Sequence, residues 1–419
     1  MTRPDRTTRV LFVSHSSELR GAERSLELLL RGVEAETIEP VVVLPGRGGL
    51  YDHLSALGFP LYDVPMWWWL PPLGESHETM LTAYRAIVEN IAVVRNIIRT
   101  HGIQVVHSNS VVVMEGALAA ALERLPHVWH IREILDETSG LSLPLGRVAT
   151  LGIVEELSDK VVAVSHEAAR QFWNSTKVEV VYNGVTISNG RSAQLPGRVG
   201  SLKVAFGGSL IERKGVDLFV EACLSLRNAD VDFYLVGDEE NHALTQGLRN
   251  RIGEAGKASR FHFLGFRADM SSILEAMDIY VLASRNDPFP RTVIEAMAAG
   301  CAVVVTKSGG AMEAVRSCGA GEVVEISAES IAGGIRRLIE DPRYRKACGQ
   351  SGKRNVYELF SSTSYVTKMT KLLSDVALSG RAPRPIDYLI EELLSRHETT
   401  QPSFARRPQR RFSWIFGRS

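Results

Sequence analysis

An alternation repeated twice along the chain constrains its fold more than any other feature. Short apolar, β-branched runs at residues 9–14, 40–44, 61–64, 103–107, 128–131, 160–164 and 178–182 read as strands. Between them, residues 22–32, 50–57, 79–99 and 117–122 carry helical spacing. The second half repeats the pattern, with strands at 202–206, 231–236, 261–264, 279–282, 302–305 and 322–324 and helices at 216–226 and 244–252. Strands that alternate with helices make a parallel sheet covered on both faces. A polar stretch rich in Gly, Ser and Pro, residues 188–200, separates the halves. The fold class expected is α/β, with two Rossmann-like domains (1–190 and 200–360) facing each other across a cleft. A helix within 361–378 is expected to cross back to the first domain. Residues 379–419, basic and aromatic toward the end, read as a flexible tail.

Composition narrows the function classes. Lys plus Arg equals Asp plus Glu, 48 against 48, so no global field points to nucleic acid. The four cysteines are scattered without metal-ligand spacing, which favours a reducing, cytoplasmic setting and no metal. No apolar run approaches the ~20 residues of a membrane span, and no long apolar signal region opens the chain.

The chemistry gathers at loops that follow strands. Residues 286–300 run from Asn286-Asp287-Pro288-Phe289-Pro290 into a helical pattern from Arg291 to Gly300. The two prolines force an extended turn. Asp287 on the loop and Glu295 early in the helix then flank a helix N-terminus, whose free N–H groups suit a phosphate ester. Gly207-Gly208 ends another strand and lets backbone approach a ligand closely. Arg213 and Lys214 follow, a planar fork and a mobile point charge suited together to a diphosphate. Lys307-Ser308-Gly309-Gly310 is a further strand-to-helix loop of the same kind. Neither GxxxxGK[ST] nor GxGxxG occurs at these loops, which argues against triphosphate hydrolysis and dinucleotide redox chemistry.

Taken together, RGAERSLELL (20–29), VEVVYNGV (178–185), GGSLIERKG (207–215), DPFPRTVIEAMAAG (287–300) and SGGAMEAV (308–315) resemble the family-4 retaining glycosyltransferases of GT-B fold. The resemblance implies metal-free transfer of a sugar, with retention, from a UDP- or GDP-linked donor to a saccharide or lipid-linked saccharide acceptor, as in cell-surface polysaccharide or glycan synthesis. It implies that Arg213 and Lys214 neutralise the diphosphate, that Glu295 binds ribose hydroxyls and that Asp287 holds the donor sugar. Gly208, backbone near Phe289 and Pro290, Arg291, and Gly21 from the first domain would complete the pocket. Asp287 stands where the family usually has a glutamate, one methylene longer. Arg20 stands where it usually has a second glycine.

Two histidines, His107 and His130, end strands of the first half, and the resemblance favours His130 as the one facing the donor sugar. Glu133 is an acceptor-side candidate. Trp67, Trp68 and Trp69 are adjacent, and on one element at least one should be exposed. With the basic aromatic segment 404–419 they suggest peripheral contact with the inner face of the cell membrane. A sugar-nucleotide epimerase of the same architecture, or a nucleotide-sugar-binding protein with little catalysis, would share much of this pattern.

Overall fold

The structure is a computed structural model describing residues 7–186, 190, 192–226 and 230–400, with side chains through residue 392. The first domain alternates β1 (Thr8–Ser14), α1 (Gly21–Gly32), β2 (Ile38–Leu44), α2 (Gly49–Ser55), β3 (Leu61–Asp63) and α3 (His77–His101). It continues through β4 (Val105–Asn109), α4 (Glu115–Leu122), β5 (His127–Ile131), α5 (Arg147–Leu157), β6 (Lys160–Ala163), α6 (His166–Ala169) and β7 (Val178–Val180). All seven strands pair in parallel, in the order β3-β2-β1-β4-β5-β6-β7. Val10, Leu11, Phe12 and Val13 are fully buried, as a central parallel strand covered on both faces requires.

The second domain runs through β8 (Leu202–Gly207), α7 (Val216–Ser225), β9 (Val231–Val236), α8 (His242–Glu254), β10 (Phe261–Gly265), α9 (Met270–Leu274) and β11 (Ile279–Leu282). There follow α10 (Arg291–Ala299), β12 (Ala302–Thr306), α11 (Ala311–Cys318), β13 (Gly321–Val324), α12 (Ala328–Glu340) and α13 (Pro342–Phe360). Its six strands are also parallel, ordered β10-β9-β8-β11-β12-β13. In both sheets the order reverses beside the first strand of the domain, β1 or β8. Such switch points open a crevice at the carboxyl ends of the strands.

The chain crosses between domains at two adjoining places. Val185 N–H donates to Phe360 O at 2.8 Å, and Ser362 N–H donates to Val185 O at 2.9 Å. After the second crossing, α14 (Ser362–Ser379) lays Tyr365, Met369, Leu372 and Leu373 against Val10, Phe12, Leu26 and Leu30 of the first domain. Burying each such side chain contributes roughly 1.5–3 kcal/mol, so this return helix is part of the first domain's core. Gly32 of α1 fits the same contact, since a Cβ there would stand 2.6 Å from Val366 Cγ2.

Two expectations need correction. Residues 379–392 are not a free tail. A last helix, α15 (Pro385–Thr400), follows α14, and Ile386 and Ile390 join the first-domain core. Arg381, with a fully buried side chain, pairs with Asp159 and Asp387, and Arg384 pairs with Asp159 as well. Charges that read as a solvated basic tail are the clamp that fastens this segment. The segment 404–419 lies outside the described residues. The tryptophans also differ from expectation: Trp69 is buried and Trp67 and Trp68 are half-buried, so none of the three is exposed. They sit on irregular backbone, which frees successive side chains from strand or helix directions. Trp68 Nε1 donates to His15 O and Trp69 Nε1 donates to Val111 O. No helix among the described residues is long and apolar enough to cross a membrane.

Candidate active site

A cavity of about 830 Å³ opens between the carboxyl ends of the two sheets. Its second-domain floor is shaped by glycine. Gly208 has φ +125° and leaves open space where a side chain would stand. Behind it Gly237, at φ +152°, packs so closely that a Cβ would lie 1.9 Å from Gly208 O. The next turn, Glu212–Lys214, ends on Gly215 at φ +76°, where a Cβ would lie 1.8 Å from Ala283 O. Arg285 N–H and Ser284 Oγ both donate to Arg213 O, at 2.8 and 3.1 Å, and pin that turn to the strand end of β11. The turn thereby delivers Arg213 and Lys214 to the cavity wall. Arg213 Nη1 donates to Asn286 O at 3.0 Å, and Lys214 Nζ meets Asp287 Oδ2 at 2.5 Å.

The loop from Asp287 to Pro290 forms the adjoining wall. Its carbonyls are committed elsewhere. Asp287 O accepts from Gly310 N–H, Pro288 O from Ser165 Oγ at 2.7 Å, and Phe289 O from Asn183 Nδ2 at 3.2 Å. The Lys307–Gly310 loop is thus a brace rather than a wall of the pocket. Gly309 and Gly310 press on the carbonyls of residues 287 and 288, and Lys307 pairs with Glu325 at the surface. Pro290 caps α10, whose first amides have no carbonyl partner within the helix. Glu295 falls in the second turn of α10, not the first, and accepts from Arg291 Nη2 at 3.3 Å. Arg291 Nη1 also reaches across to Ser25 Oγ of α1 at 3.0 Å.

From the first domain, Gly21 opens α1 and has nothing within 4 Å of where a Cβ would stand. Arg20 precedes it and reaches Glu240 of the second domain at 3.1 Å. Arg24 on α1 and Arg132 after β5 also line this side.

The cavity therefore gathers Gly21, Gly208, Arg213, Lys214, Asp287, Phe289, Pro290, Arg291 and Glu295. His130 does not join them. It is fully buried at the end of β5, packed edge-on against His107 with rings 5.4 Å apart. Burial, with Arg132 next in effect, pushes both imidazoles down, His107 to about 3 and His130 well below its ordinary value. Both are neutral at physiological pH, and neither lines the cavity. Glu133 is a loop brace: Oε1 accepts from Ser110 Oγ, and Oε2 accepts from the amides of Val111 and Arg132.

Two family models match consecutive parts of the chain, glycosyltransferase family 4 over residues 19–189 and glycosyl transferases group 1 over 192–355. The chain belongs to the family-4 glycosyltransferases of GT-B fold. Among its relatives, the lipopolysaccharide core biosynthesis mannosyltransferase LpcC of Rhizobium leguminosarum is 33% identical over 172 residues, 40% of this chain and 48% of that one. The lipopolysaccharide core biosynthesis glycosyltransferase LpsE of Rhizobium meliloti is 29% identical over 168 residues, again 40% and 48%. The chain thus spans about half the length of these relatives. Anabaena HepE, solved in complex with UDP-glucose, is 22% identical and superposes with a TM-score of 0.72, covering 88% of this chain and 99% of that one. That likeness carries the fold.

In this chain the second-domain wall holds most of the residues the sequence singles out, and the first-domain wall holds most of those it does not. Arg132 and Arg24 went unnoticed as site residues. A signal for Arg132 was present, because it lies two residues beyond His130 in the same strand-end motif, and a cation suits an anionic ligand better than a buried neutral imidazole.

Proposed function

We propose that this chain transfers a sugar, with retention and without a metal, from a nucleotide diphosphate sugar to a saccharide or lipid-linked saccharide acceptor in glycan synthesis. The observation that carries the reading is the convergence of Arg213, Lys214 and the bare backbone of Gly208 on one cavity wall, beside Asp287 and Glu295. Two cationic side chains can take up the charge of a departing diphosphate, which supports a reaction needing no metal for that purpose. The acceptor hydroxyl oxygen bonds to the anomeric carbon as its bond to the β-phosphate oxygen breaks. The hydroxyl proton passes to the leaving phosphate, on whose side the attack occurs. The protein's share is placement and charge stabilisation. Lys214, paired with Asp287 here, exchanges that partner for the diphosphate and leaves Asp287 to accept from sugar hydroxyls. The four cysteines, all free and buried, fit a cytoplasmic site of action. The names of the two lipopolysaccharide relatives favour a glycan acceptor, and UDP-glucose in HepE makes UDP-linked sugars the first donors to try. Contact with a membrane through Trp67, Trp68 and Trp69 is not part of this proposal, because their rings are packed inward.

The test is turnover of α-linked UDP- and GDP-sugars with glycan acceptors, with the product's anomeric signal followed by proton NMR. An α-linked first product supports retention. A β-linked product would overturn the stereochemical reading, and conversion of the donor to its epimer without acceptor would make the chain an epimerase.

A further inference from the structure

Cations that line the cavity are mostly matched by carboxylates. Lys214 pairs with Asp287, Arg291 with Glu295, Arg267 with Asp269 and Arg31 with Glu27. Arg132 is different. Its Nε donates to Asn109 Oδ1 at 2.7 Å, its Nη1 to Asn183 Oδ1 at 2.8 Å and its Nη2 to Tyr365 OH at 3.4 Å. All three acceptors are neutral, and the side chain forms no ion pair with a carboxylate among the described residues. A guanidinium has five N–H groups, so two remain uncommitted. Behind it stand His107 and His130, buried and neutral, each pushed down partly by the Arg132 charge. The nearest carboxylate in the chain, Glu133, is turned to the backbone amides of Val111 and Arg132 and to Ser110 Oγ rather than to the guanidinium.

Its setting is also pre-oriented. The three acceptors come from the end of β4, from the first interdomain crossing and from the return helix α14. Asn183 donates in turn to Phe289 O of the donor-side loop. Among the described residues Arg24 and Arg213 also form no carboxylate pair, but the Arg24 side chain donates there to a single acceptor, Leu19 O, and Arg213 belongs to the opposite wall. A half-buried guanidinium held by three neutral oxygens and facing a cavity with two spare donors is built for an oxyanion supplied by the ligand.

We propose that Arg132 is an oxyanion-binding residue of the first domain, contacting either the departing phosphate or an acidic substituent on the transferred sugar. The inference rests on the donor-site reading above and extends it to the wall that no motif marks. The full chain would be titrated calorimetrically with UDP, UDP-glucose and UDP-glucuronic acid, as wild type, Arg132→Gln, Arg132→Lys and Lys214→Ala. If the oxyanion is the phosphate, Arg132→Gln weakens all three ligands by about tenfold or more, and Arg132→Lys restores part of that loss. If it belongs to the sugar, Arg132→Gln spares UDP and UDP-glucose and removes a preference for UDP-glucuronic acid. Either result supports the proposal. Full affinity of Arg132→Gln for all three, with Lys214→Ala weakened, overturns it and leaves the donor site standing. If neither variant changes binding, the donor-site reading falls and the inference falls with it. Thermal melts accompany each titration. Should Arg132→Gln melt more than about 5 °C below wild type, Arg132→Lys decides, because it keeps the charge and loses the fork. A loss of threefold or more on any of the three ligands then supports the proposal, and unchanged affinity overturns it.

Discussion

On one side of the cavity, Gly215 and Gly237 are packed so tightly that one added methyl group would meet a carbonyl oxygen within 2 Å. On the other side, Gly21 has nothing within 4 Å of the same position. The second-domain wall is shaped by backbone: strand ends touch one another, carbonyls are committed behind the loop, and two cations are carried on a pinned turn. The first-domain wall is shaped by side chains drawn from separate elements, Arg20 and Arg24 at α1 and Arg132 after β5. Buried ionisable groups, His107, His127, His130 and Glu115, also stand within the first domain. A backbone-built wall holds a constant ligand part such as a diphosphate. A side-chain wall can differ between family members without disturbing the fold.

The sharpest way to break this contrast is a pair of glycine substitutions. Gly215→Ala should destabilise the chain by about 3 kcal/mol or more, because a positive φ and a backbone clash add together. Gly21→Ala should change stability by less than about 0.5 kcal/mol. Urea unfolding of both variants checks this, and equal effects would erase the distinction between the walls.

Next in size is a pH effect confined to the first domain. Burial pushes the Glu115 carboxyl up to about 7 from an ordinary 4.5. Between those values the folded state holds a proton that the unfolded state has released, so stability falls as pH rises through the window and levels off above it. At about 1.4 kcal/mol per pH unit, Glu115→Gln should gain roughly 3 kcal/mol on wild type between pH 4.5 and 7.5. The buried histidines act in the opposite sense. Their lowered values make the unfolded state bind more protons below about 6.5, so stability falls as pH drops toward 3. Urea midpoints across pH separate the two, and parallel curves for wild type and Glu115→Gln would contradict the buried carboxyl.

Two smaller effects sharpen the second wall. Glu295→Gln should weaken nucleoside diphosphate binding about tenfold if the carboxylate accepts from ribose hydroxyls; an unchanged titration removes it from the site. Asp287→Asn should strengthen UDP binding severalfold, because Lys214 no longer leaves an ion pair, while turnover of the nucleotide sugar drops. Weaker UDP binding would mean that Asp287 orients Lys214 instead of competing for it.

The same contrast explains what could be read from sequence. Buried parallel strands such as Val10–Val13 and Val303–Val305 are continuous apolar runs, so both sheets were legible, and loops after those strands named the second wall. The first wall was less legible because its parts meet only in three dimensions. Asn109, Asn183 and Tyr365 are far apart in the chain, yet together they hold Arg132. His130 drew attention as a strand-end histidine, but it sits inside the end of β5, completely buried against His107, and does not reach the cavity. Arg381 and Arg384 looked like solvated charge because Asp159, their partner, lies far back in the chain. Side chains whose partners are distant in sequence carry no local pattern to read.

The central claim is that the Arg213–Lys214 turn binds the diphosphate of a sugar nucleotide. It is tested most directly by calorimetric titration of wild type and Lys214→Ala with UDP, GDP and their sugars, with release of free diphosphate followed in parallel. The account predicts saturable binding of one nucleotide, weakened about 100-fold in Lys214→Ala, and slow release of its diphosphate from the bound sugar nucleotide. Equal affinity in the two proteins, or no binding of any member of the panel, would contradict it.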